Sequence, residues 1–362
     1  MMRLAVEILI LLCTCLSAFP MHAQENPDLK GTSCVPVRTT VEEELSFQSG
    51  EVMDFILHYK WGAINSDVGT ATVSLDSVRL NGHEAFLCRA HGRTTKLFDL
   101  FFKVREDFRS WFTRDGLRPL KFTRDTYEGG YEARNTYVYD WSVPDPHIVA
   151  DVYSSSSGQR NLDLPLTPCT FDIPSLFFFA RNMDFDTVIP GRKYPMTFAI
   201  DDDVYNVYFI LYGRETIKVK GLGTIRTIKF AAKLLEGEVF KGEEDMLIWV
   251  TDDDNRLPVY FEAPLLVGKA TGRMTGYAGL KHPFTSFVET KKNIAHRNQT
   301  VKKFGIKQNR SKPMIRYNII TKEIRFFDTC GDAKELGYKP GKRKTGNYEW
   351  YDLIDFLGKF GN

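Results

Sequence analysis

The chain has 362 residues, 43% of them hydrophobic and 26% charged, with a formal net charge of +2. That balance excludes collagen-like, wholly disordered and disulfide-miniprotein chains, and the overall charge shows no nucleic-acid or membrane bias. Aromatic residues reach 13%, with 27 Phe and 16 Tyr, which favours β structure.

The N-terminus reads as an export signal. Met1-Met2-Arg3 is a short basic start, and Leu4 to Cys15 is apolar apart from Glu7. The run is shorter than the ~20 residues a membrane span needs. Small Ala23 precedes polar Gln24, which places cleavage after Ala23, with Ala18 as the alternative cut. Lipid anchoring at Cys13 or Cys15 ranks second, because Leu12 and Thr14 are not the usual small residues. No other run reaches spanning length, so the expectation is an exported, periplasmic chain that is not transmembrane. Cleavage leaves Cys34, Cys88, Cys169 and Cys330. Export permits disulfides, but spacing alone leaves their pairing open. Cys88, within Ala85-Phe86-Leu87-Cys88, reads as a small buried hydrophobe.

Residues 24–44 read as a linker, with Glu42-Glu43-Glu44 a solvated stretch. From residue 45 to 289 the pattern is antiparallel β. Phe55, Leu57, Tyr59 and Trp61 share one face at a period of two, and Thr70–Leu75 alternates likewise. Asn81-Gly82 is a hairpin turn signal, since both residues tolerate positive φ. Phe108–Phe112 and Tyr131–Trp141 are further strands. Ser154–Gly158 is a surface loop. Later strands fall at Thr197–Ile200, Val204–Leu211, Thr224–Phe230, Met246–Thr251, Pro258–Phe261 and Ala270–Tyr277. Strands repeating at this spacing indicate an all-β, mainly antiparallel fold, a curved sheet or half-open barrel rather than β-α-β units. One helix interrupts the run near residues 174–182, with Asp172 upstream of Pro174 to satisfy free amides. It reads as a plug on the sheet or a lid over an apolar cavity.

Motif-borne chemistry is absent. There is no nucleophile elbow, zinc-protease helix, Walker loop or dinucleotide fingerprint, so no catalytic residue and no cofactor is assigned. His83 and His91 alone do not make the three or four ligands of a metal centre, so no metal is assigned either. Asp201-Asp202-Asp203 and Asp252-Asp253-Asp254-Asn255 lack calcium-loop spacing and read as turns. The better lead is aromatic. Trp61, Phe98, Phe101, Phe102, Trp111 and Phe177 exceed what simple alternation requires and are candidate apolar ligand-lining residues.

Gly50-Glu51, Tyr59-Lys60-Trp61-Gly62, Gly69-Thr70-Ala71-Thr72, Lys103–Ser110 and Arg118-Pro119-Leu120 resemble an exported bacterial family of unknown function, family 3108. Gly237–Phe240, Leu247–Asp253 and Arg256–Val259 resemble its closing half, for a match over roughly residues 45–289. The resemblance implies a periplasmic β protein with no established activity and no catalytic residues. With Ala23-Gln24 it also implies a Bacteroidetes-type source. By fold analogy it implies the curved shape of LolA-like lipoprotein carriers, which hold an acyl chain against a concave sheet.

The tail differs in charge. Residues 290–362 hold 17 basic and 7 acidic residues, net +10, against 31 and 39, net −8, before them. This reads as a small α+β or loosely ordered appendage. Ile319–Phe327 is a strand pair, Asp332–Gly337 a helical turn and Tyr351–Phe360 a short amphipathic helix. Peripheral contact with an anionic envelope surface is its candidate role. The leading functional expectation is non-catalytic binding of a lipid, lipoprotein or other apolar envelope component. A structural or protein-interaction module stands second, and an envelope hydrolase without a recognisable motif third.

Overall fold

The computed structural model describes residues 34–61, 64–100, 102–233, 246–264, 268–288, 314–320, 324–327, 339 and 342–352. The export signal, Phe101, Cys330 and the stretches 332–337 and 353–360 lie outside these residues, and so does the side chain of Trp61.

Eight strands come first: β1 (Glu51–Trp61), β2 (Ile64–Leu80), β3 (His83–Thr94), β4 (Val104–Thr113), β5 (Pro119–Glu128), β6 (Tyr131–Asp140), β7 (His147–Ser154) and β8 (Gly158–Pro165). A one-turn helix, α1 (Lys96–Asp99), separates β3 from β4. Then follow β9 (Thr170–Phe171) and helix α2 (Ile173–Ala180). The second run is β10 (Lys193–Ile200), β11 (Asp203–Val219), β12 (Gly223–Lys233), β13 (Met246–Thr251), β14 (Pro258–Pro264) and β15 (Lys269–Ala278). Each run is an antiparallel meander, and β15 pairs with β1, so both belong to one 15-stranded sheet. Its edges are β8 and β9; β9 pairs parallel with β10. The sheet curls without closing its ladder between those edges. Four further strands, β16 (Met314–Asn318), β17 (Ile324–Phe327), β18 (Lys344–Thr345) and β19 (Tyr348–Asp352), form a separate small sheet.

Local sequence explains these elements. Buried and more exposed residues alternate along β4 and β6, the period of a strand with one face inward. Asn81 and Gly82 both take positive φ, 49° and 86°, in the β2–β3 hairpin. Asp172 caps α2: its side chain accepts the Ser175 N–H, while Ser175 Oγ accepts the Asp172 N–H at 3.0 Å. The tail corrects one expectation. Tyr351 lies in β19, paired with Ile315, and not in a helix, because its aromatic and β-compatible neighbours join a ladder.

The core lies inside the curl. At one end α2 sets Phe178 against Phe47, at 4.7 Å between ring centroids, and against Phe112 at 5.7 Å. At the other, Phe108, Phe122 and Tyr137 stack through β4, β5 and β6. Residues 34–44 pack against this body: Val35 is buried, Val37 bridges to Met183, and Cys34 is disulfide-bonded to Cys169. Cys88 is fully buried in the core.

Gly272 shows how tightly the sheet is filled. It faces Phe261 across the β14–β15 ladder, and a Cβ there would sit 1.7 Å from the Phe261 ring. Gly272→Ala is expected to cost about 1–3 kcal/mol through displacement of that ring. Thermal unfolding of the variant measures it; an unchanged midpoint would show that the ring moves freely.

Candidate functional site

The outer face of the first meander is ordered by register. Arg89, Arg109, Thr123, Thr136, Asp151 and Asn161 are successive cross-strand partners from β3 to β8. His91, Asp107, Asp125, Arg134, Tyr153 and Gln159 form the next row. On the other side, Trp111 faces Lys121, Lys121 faces Val138, and Val138 faces Val149. All point outward because their neighbours, such as Phe108, Phe122, Tyr137 and Ile148, point into the core.

The two polar rows border a groove of about 530 Å³. Asp107 anchors one end: Arg109 donates to it at 2.9 and 3.3 Å, and His91 Nδ1 lies 3.1 Å away. Toward the other end, the Arg134 guanidinium sits 4.9 Å from the centroid of the Tyr153 ring. Gln159 donates to Asp151. Acceptors, donors and one aromatic ring thus share a single open surface.

Behind this face, inside the curl, is a buried polar cluster. Arg124 on β5 pairs with Asp201 at the β10–β11 turn, and its Nε donates to Thr126 Oγ1 at 2.8 Å. Thr126 donates in turn to Glu106 at 2.6 Å. Burial, with the Glu128 charge close by, holds the Glu106 carboxyl well above its usual range. Glu106 and Glu128 therefore sit as neighbouring acids in this buried cluster, each disfavouring charge on the other. Burial pushes Asp201 up to about 6, although Arg124 pulls it down. Tyr137 Oη donates to the Asp201 carbonyl at 2.9 Å. Tyr137→Phe removes that bond and is expected to cost about 1 kcal/mol in urea unfolding. A neutral change would mean the carbonyl finds water instead.

The described aromatic candidates, Phe98, Phe102, Trp111 and Phe177, do not converge on one surface. Phe102 is buried, and its ring fills the space above Gly129, where a Cβ would meet it at 2.3 Å. Phe98 is half-buried on α1; its carbonyl accepts the Phe102 N–H at 2.9 Å. Phe177 packs edge-on to Phe178 on the core side, 5.2 Å between centroids. Trp111 points to the outer face, with Lys121 Nζ 5.5 Å from its ring. Trp61 and Phe101 fall outside the described side chains. Sequence reasoning did not single out Arg124, Glu106 or Glu128. The signal was their shared face with Phe122 and Phe108 at a period of two.

Asp201-Asp202 and Asp252–Asn255 do form turns, and Asp203 opens β11. Asp253 accepts the backbone N–H of Asn255, Thr285 and Ser286 at 3.1–3.2 Å. Among the described residues no group of three or more His, Cys, Asp or Glu side chains is placed to hold a metal ion. No described helix is long and apolar enough to cross a membrane.

The family model of DUF3108, described as a protein of unknown function, matches residues 54–275. No curated protein matches the chain. Among solved structures it is similar to a beta-barrel-like protein of domain of unknown function DUF1849 from Brucella abortus. That likeness has 12% identity and a TM-score of 0.42, over 63% of this chain and 96% of the other. It is also similar to a candidate lipoprotein from Parabacteroides distasonis, with 11% identity and a TM-score of 0.22, over 68% of this chain and 100% of the other.

Proposed function

The chain belongs to the DUF3108 family, and we propose that it is an exported, non-catalytic binding protein of the cell envelope that meets its partner on the outer face of β3–β8. The observation that carries this reading is the contrast between the two faces. The inner face is occupied by the chain's own rings and by charged groups tied to one another. The outer face offers an open groove. The basic start and apolar run at residues 1–15 support export, and so does the Cys34–Cys169 disulfide, since disulfides persist in oxidising compartments. The hydrolase reading has less support. The groove acids lie on an open surface, and the buried Glu106–Glu128 pair sits on the opposite side of the sheet.

Lipid binding is the second reading. Leu100 is 78% exposed beside half-buried Phe98, an apolar lip next to buried Phe102 from which an acyl chain would enter. Exposed Lys339, Lys342, Arg343 and Lys344 support a peripheral contact of the tail with an anionic surface.

Titration of the mature protein with a fluorescent fatty acid separates the two readings. The outer-face reading expects no saturable uptake. Stoichiometric uptake that Phe98→Asp weakens would replace it with the lipid reading.

A further inference from the structure

We propose that the groove across β4–β8 is a saccharide site, taking a polyhydroxylated chain laid across the strands. This inference rests on the outer-face reading and names its ligand class.

The lining decides by elimination. Asp107, Asp125 and Asp151 would repel a phosphate or sulfate polymer. Arg109 and Arg134 would repel a polycation. Little of the lining is apolar, so an acyl chain gains nothing there. What remains is a neutral ligand that both donates and accepts hydrogen bonds along its length. A sugar hydroxyl does both. Carboxylates accept from it, guanidinium groups donate to it, and Thr123 and Thr136 on the groove floor do either.

Aromatic surface borders the polar rows on both sides. Tyr153 stands within the row of Asp107 and Arg134, Tyr127 in the row beyond that one, and Trp111 in the row beyond Arg109 and Thr123. Val138 and Val149 continue the Trp111 row and are 45% and 51% exposed. Rings and short aliphatic groups accept the C–H faces of pyranose units, while their hydroxyls turn to the polar rows. Neighbouring strands are ~4.8 Å apart, so β4 to β8 span ~19 Å, room for a short oligosaccharide. The volume of about 530 Å³ falls within the range of small-ligand sites.

The test is calorimetric titration of the mature protein with chitohexaose and with cellohexaose. Saturable binding of at least one is expected, at sub-millimolar affinity. Asp151→Ala and Arg134→Ala should each weaken it about tenfold or more, as loss of a charged hydrogen bond does. Asp254→Ala, at the exposed turn between β13 and β14 in the second meander, should leave it unchanged. The melting temperatures of all three variants report folding and should stay near that of the parent. Absence of saturable binding to both sugars overturns the proposal, as does binding indifferent to both groove variants. The fatty-acid titration on the same sample keeps the failures apart. Uptake there removes the outer-face reading as well; no uptake removes the saccharide assignment alone.

Discussion

Glu51→Ala is expected to lower the melting temperature by about 10 °C. Glu51 opens β1 and is fully buried, and its partner Arg181, just after α2, is 2% exposed. Arg181 donates to both Glu51 carboxylate oxygens, to the Asn255 carbonyl at 3.2 and 2.8 Å, and to the Ser46 carbonyl at 3.4 Å. Its guanidinium also lies 5.3 Å from the Phe47 ring and 5.5 Å from the Phe178 ring. One side chain therefore joins the N-terminal segment, α2, β1 and the β13–β14 turn. Alanine at position 51 leaves that cation buried without its counter-charge. Breaking a buried pair from one side costs about 3–5 kcal/mol. At ~2–4 °C per kcal/mol for a domain of this size, the midpoint falls by about 10 °C. The Arg38–Asp254 pair is the control, with side chains 38% and 65% exposed. Asp254→Ala should shift the midpoint by less than about 2 °C. Calorimetry at neutral pH decides. A Glu51→Ala shift as small as the control would mean that water reaches Arg181 and that the junction is not sealed.

The protein is expected to be more stable near pH 4 than at pH 8. Burial pushes Asp172 from 3.8 to about 7, although Ser110 Oγ and the Ser175 N–H donate to its carboxylate, each at 2.8 Å. Asp201 rises to about 6 and Glu106 also rises, both chiefly from burial. A carboxyl whose folded pKa is raised binds its proton more tightly folded than unfolded. Its contribution is fully present below the unfolded value of about 3.8 and is lost as pH climbs through 6 and 7. A rise of about three units at Asp172 corresponds to about 4 kcal/mol. Opposing groups act lower: Asp67, held at about 2 mainly by its bond from Arg273, loses its contribution as pH falls from about 3.8 through 2. Urea unfolding at pH 4, 6 and 8 is expected to show a falling midpoint. Asp172→Asn keeps the cap and should flatten the curve. A midpoint that rises from pH 4 to 8 would mean that Asp172 and Asp201 are hydrated in solution.

Much of the fold was legible because strands write their period into the chain. Phe108–Phe112 and Tyr131–Trp141 alternate, and the structure buries one face of each. Asn81-Gly82 and the Asp172–Pro174 start of α2 were legible from backbone chemistry alone. β8 was not, since Gly158–Pro165 is mostly polar and, of its inward residues, Gly158, Arg160 and Leu162 are half-buried and Leu164 alone is buried. The pairing of β1 with β15 joins residues more than 200 positions apart, and no local pattern encodes it.

The site was less legible for a related reason. Alternation tells which residues share a face, but not which face is covered. Trp111 and Phe112 are adjacent aromatics; one lies outside beside Lys121, the other inside against Phe178. Asp201 reads correctly as a turn residue, yet its side chain reaches inward to Arg124 because the turn folds over the interior of the first meander. The groove is invisible in sequence because its rows run across successive strands, and the register that aligns one strand with the next is not written in the pattern of either.

Native mass spectrometry of the secreted protein, purified from its own host's envelope and paired with lipid extraction, tests most directly whether the inner face is closed to ligands. The expected result is the mass of the processed polypeptide with no near-stoichiometric lipid or acyl adduct. A lipid retained at one copy per chain would contradict it, and would make the lip at Phe98 and Leu100 the way in.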